Sequence, residues 1–195
     1  MDMSSLPSQH TKVYHAIDYD NIMFLYDYHP WDAGKNPKID KITNTLLNLK
    51  HAEPRRRAPA VKFFSKVLTN ANITNLLDSE IKAFCIVPSH TANHVSQGLV
   101  DLLTNIRVQY EFQNTDNLLR RTKTILKAAT GGPRNQQVHV DSIVVTNADQ
   151  VRGKTVYLFD DITTTGSSLK ACKSLLLAAG ASRVVMIALG QTHNE

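Results

Sequence analysis

"VYLFDDITTTGSSLKACKSLLLAAGASRVVMIALG", residues 156–190, sets out three elements in a row. Residues 156–159 form an apolar run, and "SRVVMIALG" (182–190) forms another. Between them, "SSLKACKSLLLAAG" (167–180) carries its leucines at helical spacing and stops at Gly180. Strand, helix, strand across 154–189 is a βαβ unit. Neither strand alternates cleanly between apolar and polar residues, so both are expected to be covered on two faces, as in a parallel sheet. The expected fold class is α/β, a Rossmann-like central parallel sheet flanked by helices.

Outward from this unit, "IKAFCIVP" (81–88) reads as another short apolar strand, ended by proline, and "TANHVSQGLVDLLTNI" (91–106) as a helix. "KVYHAI" and "NIMFLYDY" are strand-like. "KITNTLLNLKHA" (41–52) has helical spacing through Ile42, Leu46, Leu47 and Leu49, with Pro54 as its stop, and further helices are expected at 59–70 and 72–79. "RVQYEF" (107–112) is a candidate strand, 114–129 a basic and helical stretch, "TGGPRNQQ" (130–137) a break, and "VHVDSIVV" (138–145) a weak alternation. The expected organisation is a disordered 1–11, a small N-terminal hood or appendage over 12–79, and the core over 80–195.

Hydrophobic residues are 42% of the 195, an ordinary globular share. The polar start "MDMSSLPSQH" lacks a signal-peptide pattern, and no run of eighteen apolar residues is present, so a cytoplasmic protein with no membrane span is expected. Cys85 and Cys172 lie in apolar segments and are expected to be reduced core residues. The net charge of +5 suits anionic ligands without choosing between a phosphorylated metabolite and nucleic acid. "EPRRRAPAVKFFSK" reads as a solvated basic turn followed by a helix that buries Phe63 and Phe64, and any nucleic-acid contact is expected to be weak and salt-dependent.

The segment 160–168 carries the chemistry. Open α/β sheets bind ligands at the carboxyl ends of their strands, and this loop stands at such an end. The amides of 163–168 lead into a helix N-terminus, whose unpaired donors and dipole favour a phosphate. Thr163, Thr165, Ser167 and Ser168 add hydroxyls, and Gly166 permits a tight path. Asp160 and Asp161 are acceptors for vicinal sugar hydroxyls, or lie near a magnesium ion. Together the parts describe a receptor for a ribose 5-phosphate unit. A plain helix cap needs one serine, not two acids and three threonines. The stretch lacks the first glycine and the lysine of a P-loop, and no G-x-G-x-x-G marks a dinucleotide fold.

"VYLFDDITTTGSS" resembles the phosphoribosyl-diphosphate signature of type I phosphoribosyltransferases, and with "AFCIVPSH", "LLRRTK" and "VVMIALG" the chain is most similar to their competence-associated, ComF-like branch. The resemblance covers roughly 81–190. It implies binding of 5-phosphoribosyl 1-diphosphate (PRPP) with Mg²⁺, transfer of the phosphoribosyl group to a nitrogenous base, and dimers, which are usual in the family. Asp160 and Asp161 would hold the ribose hydroxyls and bear on the metal; Thr163, Thr164, Thr165, Gly166, Ser167 and Ser168 would hold the 5-phosphate. The turn at Pro88, Ser89 and His90 would be the diphosphate loop, which in such enzymes often contains a strained or cis peptide. A mobile basic region over 120–134 would cover the diphosphate, with Arg120, Arg121, Lys123 and Arg134 as its cations; a solvated basic helix is the plainer alternative. Lys50 matches a position that is basic in the family, or is a surface lysine; His94 and His139 are structural or surface groups. "YDYHPW" (26–31) lines a base pocket or packs on the sheet. Thr164 stands where 6-oxopurine salvage enzymes commonly carry an acid, which argues against hypoxanthine–guanine transfer. Because the competence-associated relatives are linked to DNA uptake or metabolism, a non-catalytic PRPP or nucleotide sensor is the alternative function.

Overall fold

The computed structural model describes residues 21–30, 35–70, 82–110, 113–114, 118–126 and 135–192. In chain order the elements are β1 (Ile22–Tyr28), α1 (Lys41–Leu49), α2 (Pro54–Asn70), β2 (Lys82–Ile86), α3 (Gln97–Tyr110), β3 (Gln113–Asn114), β4 (Leu119–Arg121), α4 (Gln136–Val140), β5 (Ile143–Val145), β6 (Thr155–Thr163), α5 (Ser167–Ala178) and β7 (Arg183–Thr192). Five strands form a sheet in the order β1-β7-β6-β2-β3, every pairing parallel. This is a Rossmann-like α/β arrangement, with helices on both faces. The segments 1–11, "KVYHAI" and 72–79, and Arg134, lie outside the described residues.

Period-two alternation sorts each central strand between two cores. Tyr157 and Phe159 of β6 face one core with α1, α2 and α3, through Leu46, Leu49, Phe64, Leu99, Leu102 and Leu103. Val156 and Leu158 face the other, with Leu169, Cys172 and Leu176 of α5. Each such buried leucine or phenylalanine contributes about 1.5–3 kcal/mol relative to exposure. Both cysteines are buried and neither forms a disulfide. The βαβ unit over 154–189 is β6–α5–β7.

The strand order fixes where a ligand site belongs. β2–α3–β3 runs toward one edge of the sheet, with α3 on the first face; β6–α5–β7 runs toward the other, with α5 on the second. The neighbouring strands β2 and β6 therefore flank the topological switch point, and the crevice at their carboxyl ends is the favoured place for a ligand.

The described part of 12–79 supplies β1, which pairs with β7, and α1 and α2, which pack in the core. Three readings of the sequence are corrected. Pro54 opens α2 instead of merely stopping α1, because its missing N–H falls where a helix start has no partner for one. Residues 107–110 continue α3, and 97 rather than 91 begins it. Within 114–129, the described residues 119–121 form a strand, paired antiparallel with β5, and 122–126 are not helical.

Candidate functional site

At the carboxyl end of β6 the acid pair divides between the two faces. Asp160 follows the parity of Val156 and Leu158, and Ser168 Oγ donates to its Oδ2 at 3.3 Å from the start of α5. Asp161 follows Tyr157 and Phe159, and Lys50 Nζ lies 2.9 Å from its Oδ1. Each acid also folds back on the chain: Asp161 N donates to Asp160 Oδ1 at 2.9 Å, and Ile162 N to Asp161 Oδ1 at 2.7 Å. The two acids thus bracket the strand end, and the loop continues from its tip.

Burial and the Asp161 charge push the Asp160 carboxyl up to about 7, against the opposing pull of Lys50, the Asp161 amide and Ser168. For Lys50, burial acts to lower the ammonium, but Asp161, their hydrogen bond and Asp160 outweigh it and raise its pKa. Lys50 is brought here by close packing. It caps α1, whose entry is fixed by Asp40 accepting from Thr43 N at 2.7 Å. A Cβ on Gly98 would run into the Leu49 carbonyl, and one on Gly190 into Leu46 Cδ1. Two glycines therefore let α1 lie down against α3 and β7. The sequence alone left Lys50 open between site and surface; the structure pairs it with the acid.

Beyond the acids, Gly166 takes φ 73°, and a side chain there would strike Ile22 Cδ1. Both backbone and space require glycine. Among the described residues, the amides of Thr164, Thr165 and Gly166 donate to no protein acceptor. Thr165 Oγ1 and Ser167 Oγ share a hydrogen bond of 2.9 Å, as do Thr164 Oγ1 and Thr192 Oγ1; Thr163 is buried. Open amides ahead of a twelve-residue helix form a cradle with a favourable field for an oxyanion.

The opposite wall of the crevice follows β2. Val87 N donates to Phe159 O at 2.9 Å, so the turn at 88–94 begins beside the acids. It is stitched to the basic segment: Asn93 N donates to Arg121 O, Ile125 N to His90 O and Ala92 N to Thr124 Oγ1, at 2.9–3.0 Å. Peptides are trans throughout the described residues, and Asn93 is the non-glycine with positive φ, at 55°. Arg120 and Lys123 are exposed, and Arg120 reaches Asn93 Oδ1 at 3.3 Å.

Arg121 departs from its expected place in a lid. It is 1% exposed and lies beneath the turn, donating from Nε to Ser89 O at 2.5 Å, to Ser142 Oγ, and to His139 Nδ1 at 3.1 Å. His139 is accordingly structural, while His94 is exposed. Arg57, expected on a solvated turn, is also buried: it donates to Asp101 Oδ2 at 2.8 Å and to the carbonyls of His51 and Ala52, holding α2 to α3 and to the end of α1. Of "YDYHPW", Tyr26 packs in the core with ring centroids 6.1 Å from Phe63 and 6.2 Å from Phe64; Trp31 lies outside the described residues.

Among the described residues no group of three His, Cys, Asp or Glu side chains stands ready for a metal, and no helix is long and apolar enough to cross a membrane. Two carboxylates are too few for an octahedral oxygen shell, so the acid pair fits only a magnesium ion whose remaining ligands come from substrate oxygens and water. No model of a known protein family matches the chain, and no curated protein matches it.

Proposed function

We propose that the protein is a phosphoribosyltransferase, moving the 5-phosphoribosyl group of PRPP to a nitrogenous base with release of diphosphate, on a fold of the type I phosphoribosyltransferase kind. One observation carries the reading. The open amides of Thr164, Thr165 and Gly166 stand next to an acid pair at the switch point of a parallel sheet. A ribose 5-phosphate presents complementary chemistry, an anion at one end and a diol at the other.

In this reading the 5-phosphate lies on the 164–168 amides and hydroxyls. Asp160 and Asp161 accept from the ribose hydroxyls, with Lys50 balancing their charge. The turn at 88–94, with Ser89 and His90, faces the diphosphate, and Arg120 and Lys123 reach it from the exposed edge. The base nitrogen attacks the anomeric carbon with inversion; the new C–N bond replaces the C–O bond to diphosphate, and the nitrogen's proton departs. Magnesium, when bound, neutralises charge on the leaving diphosphate. Cations and oriented amides stabilise that same charge.

The test is a screen of purine and pyrimidine bases for diphosphate release from PRPP with magnesium. Release with at least one base, abolished by Asp160→Asn with Asp161→Asn, is the expected outcome; no release above buffer with any base overturns catalysis. One observation favours a second reading, a PRPP or nucleotide sensor: burial of Arg121 removes a cation from the face that would meet a leaving group. Magnesium-dependent PRPP binding without release supports it.

A further inference from the structure

The Lys50 side chain is partly exposed, yet it holds one place, with Nζ 2.9 Å from Asp161 Oδ1. An ion pair of this kind contributes little by itself and costs the rotamer freedom of a long side chain. Its geometry therefore depends on how firmly the backbone at residue 50 is held. The chain leaves α1 at Lys50 and turns toward α2, so the carbonyls of His51 and Ala52 lie between helices, where no intrahelical donor meets them.

Arg57 meets both. Its Nη1 donates to His51 O at 2.9 Å and to Ala52 O at 3.0 Å, and its Nε to Asp101 Oδ2 at 2.8 Å. Asp101 is fixed in turn, its Oδ1 accepting from Gln97 Nε2 at 2.8 Å. Arg57 is buried while its neighbours Arg55 and Arg56 are exposed, so one cation of the basic run is drawn inward against the cost of desolvation. The same helix holds the other side of Lys50: Gly98, one turn before Asp101, seats the Leu49 carbonyl with no room for a Cβ. Lys50 thus stands between two anchors on one face of α3, residues 98 and 101.

We propose that Arg57 is a positioning residue for the acid pair: by tying the His51 and Ala52 carbonyls to Asp101 it fixes the backbone from which Lys50 reaches Asp161, and with it the orientation in which Asp161 meets sugar hydroxyls. The last step rests on the function proposed above; the hold on Lys50 does not. The planar fork of arginine suits the task. Nε faces a carboxylate while Nη1 faces two carbonyls, a fixed separation that a lysine ammonium on a flexible stem lacks. The guanidinium also sets a positive charge against carbonyls beyond the C-terminal end of α1, where it is favourable. The Asp101 pair alone would join α2 to α3; the two carbonyl bonds reach past that, to the residues that directly follow Lys50.

Lysine ammonium nitrogen–proton spectra test the hold. An ammonium kept on a carboxylate gives a resonance apart from those of solvated lysines, and Lys50→Met identifies it. Arg57→Gln is expected to move that resonance into the solvated set in a protein that remains folded. If that variant fails to fold, Asp101→Asn, which keeps the guanidinium and loosens its anchor, is expected to move it part of the way. Calorimetry with ribose 5-phosphate tests the consequence for the site. Lys50→Met and Arg57→Gln should each weaken binding about three- to tenfold, and the double variant no further than the more affected single one. A resonance unmoved in either folded variant, or losses that multiply in the double variant, overturn the inference. The two proposals separate cleanly. A displaced resonance in a protein that binds no ribose 5-phosphate supports the hold on Lys50 and rejects the proposed site. Binding of ribose 5-phosphate with an unmoved resonance does the reverse.

Discussion

The wall of the crevice after β6 is one contiguous run, residues 160–168, whereas the wall after β2 is tied together from 89–94, 120–125 and 139–142. The first keeps the amides of Thr164, Thr165 and Gly166 open beside Asp160, Asp161 and Lys50. The second spends its donors internally and hides its strongest charge beneath the turn. A cradle for a compact phosphate can be local, because a helix start already offers unpaired amides. The turn after β2 is instead held by contacts from segments remote in sequence.

The largest expected effect falls on the contiguous wall. Replacing Asp160 and Asp161 together by asparagine removes two charged acceptors, each worth roughly 1.5–3 kcal/mol. PRPP affinity should fall by about 100-fold or more, and calorimetry showing it unchanged would reject the role of the pair.

Next comes Gly166→Ala. A left-handed backbone and the clash with Ile22 together should destabilise the fold by about 1–3 kcal/mol in chemical denaturation and weaken ribose 5-phosphate. Adding Ile22→Ala relieves the clash but not the φ, so stability should return only in part. Full stability in the single variant would show that the loop relaxes freely and is no fixed cradle.

The smallest effect separates function from stability at one residue. The Asp160 carboxyl is raised to about 7 in the folded protein from an ordinary 3.8. The folded state therefore holds a proton that the unfolded chain has lost, and stability declines as pH rises from about 4 to about 7. Asp160→Asn removes that decline. Its melting temperature should exceed the unaltered protein's near pH 8 and match it near pH 4. A difference independent of pH would mean that the carboxyl ionises freely.

The same contrast explains what the sequence disclosed. Contiguous features were legible: the apolar runs of β2, β6 and β7, the helix closed by Gly180, the acid pair and the glycine. Arg121 and Arg57 were not, because a short-range reading assigns runs such as "RRR" and "LLRRTK" to solvent. Only the tertiary fold shows that Arg57 meets Asp101 and that Arg121 meets Ser89. Residues 119–121 read as helical since their strand partner, 143–145, lies beyond an intervening break. Lys50 was ambiguous for a related reason: its contact with Asp161 depends on Gly98 and Gly190, which are remote in sequence.

The central claim is that the backbone after the acids grips a sugar phosphate. Amide nitrogen–proton spectra recorded while ribose 5-phosphate is added test it directly. The account predicts that the resonances of Thr164, Thr165 and Gly166 move furthest and saturate together, with the 89–94 turn little changed. Shifts centred elsewhere, or none at these three residues at saturating ligand, would contradict it.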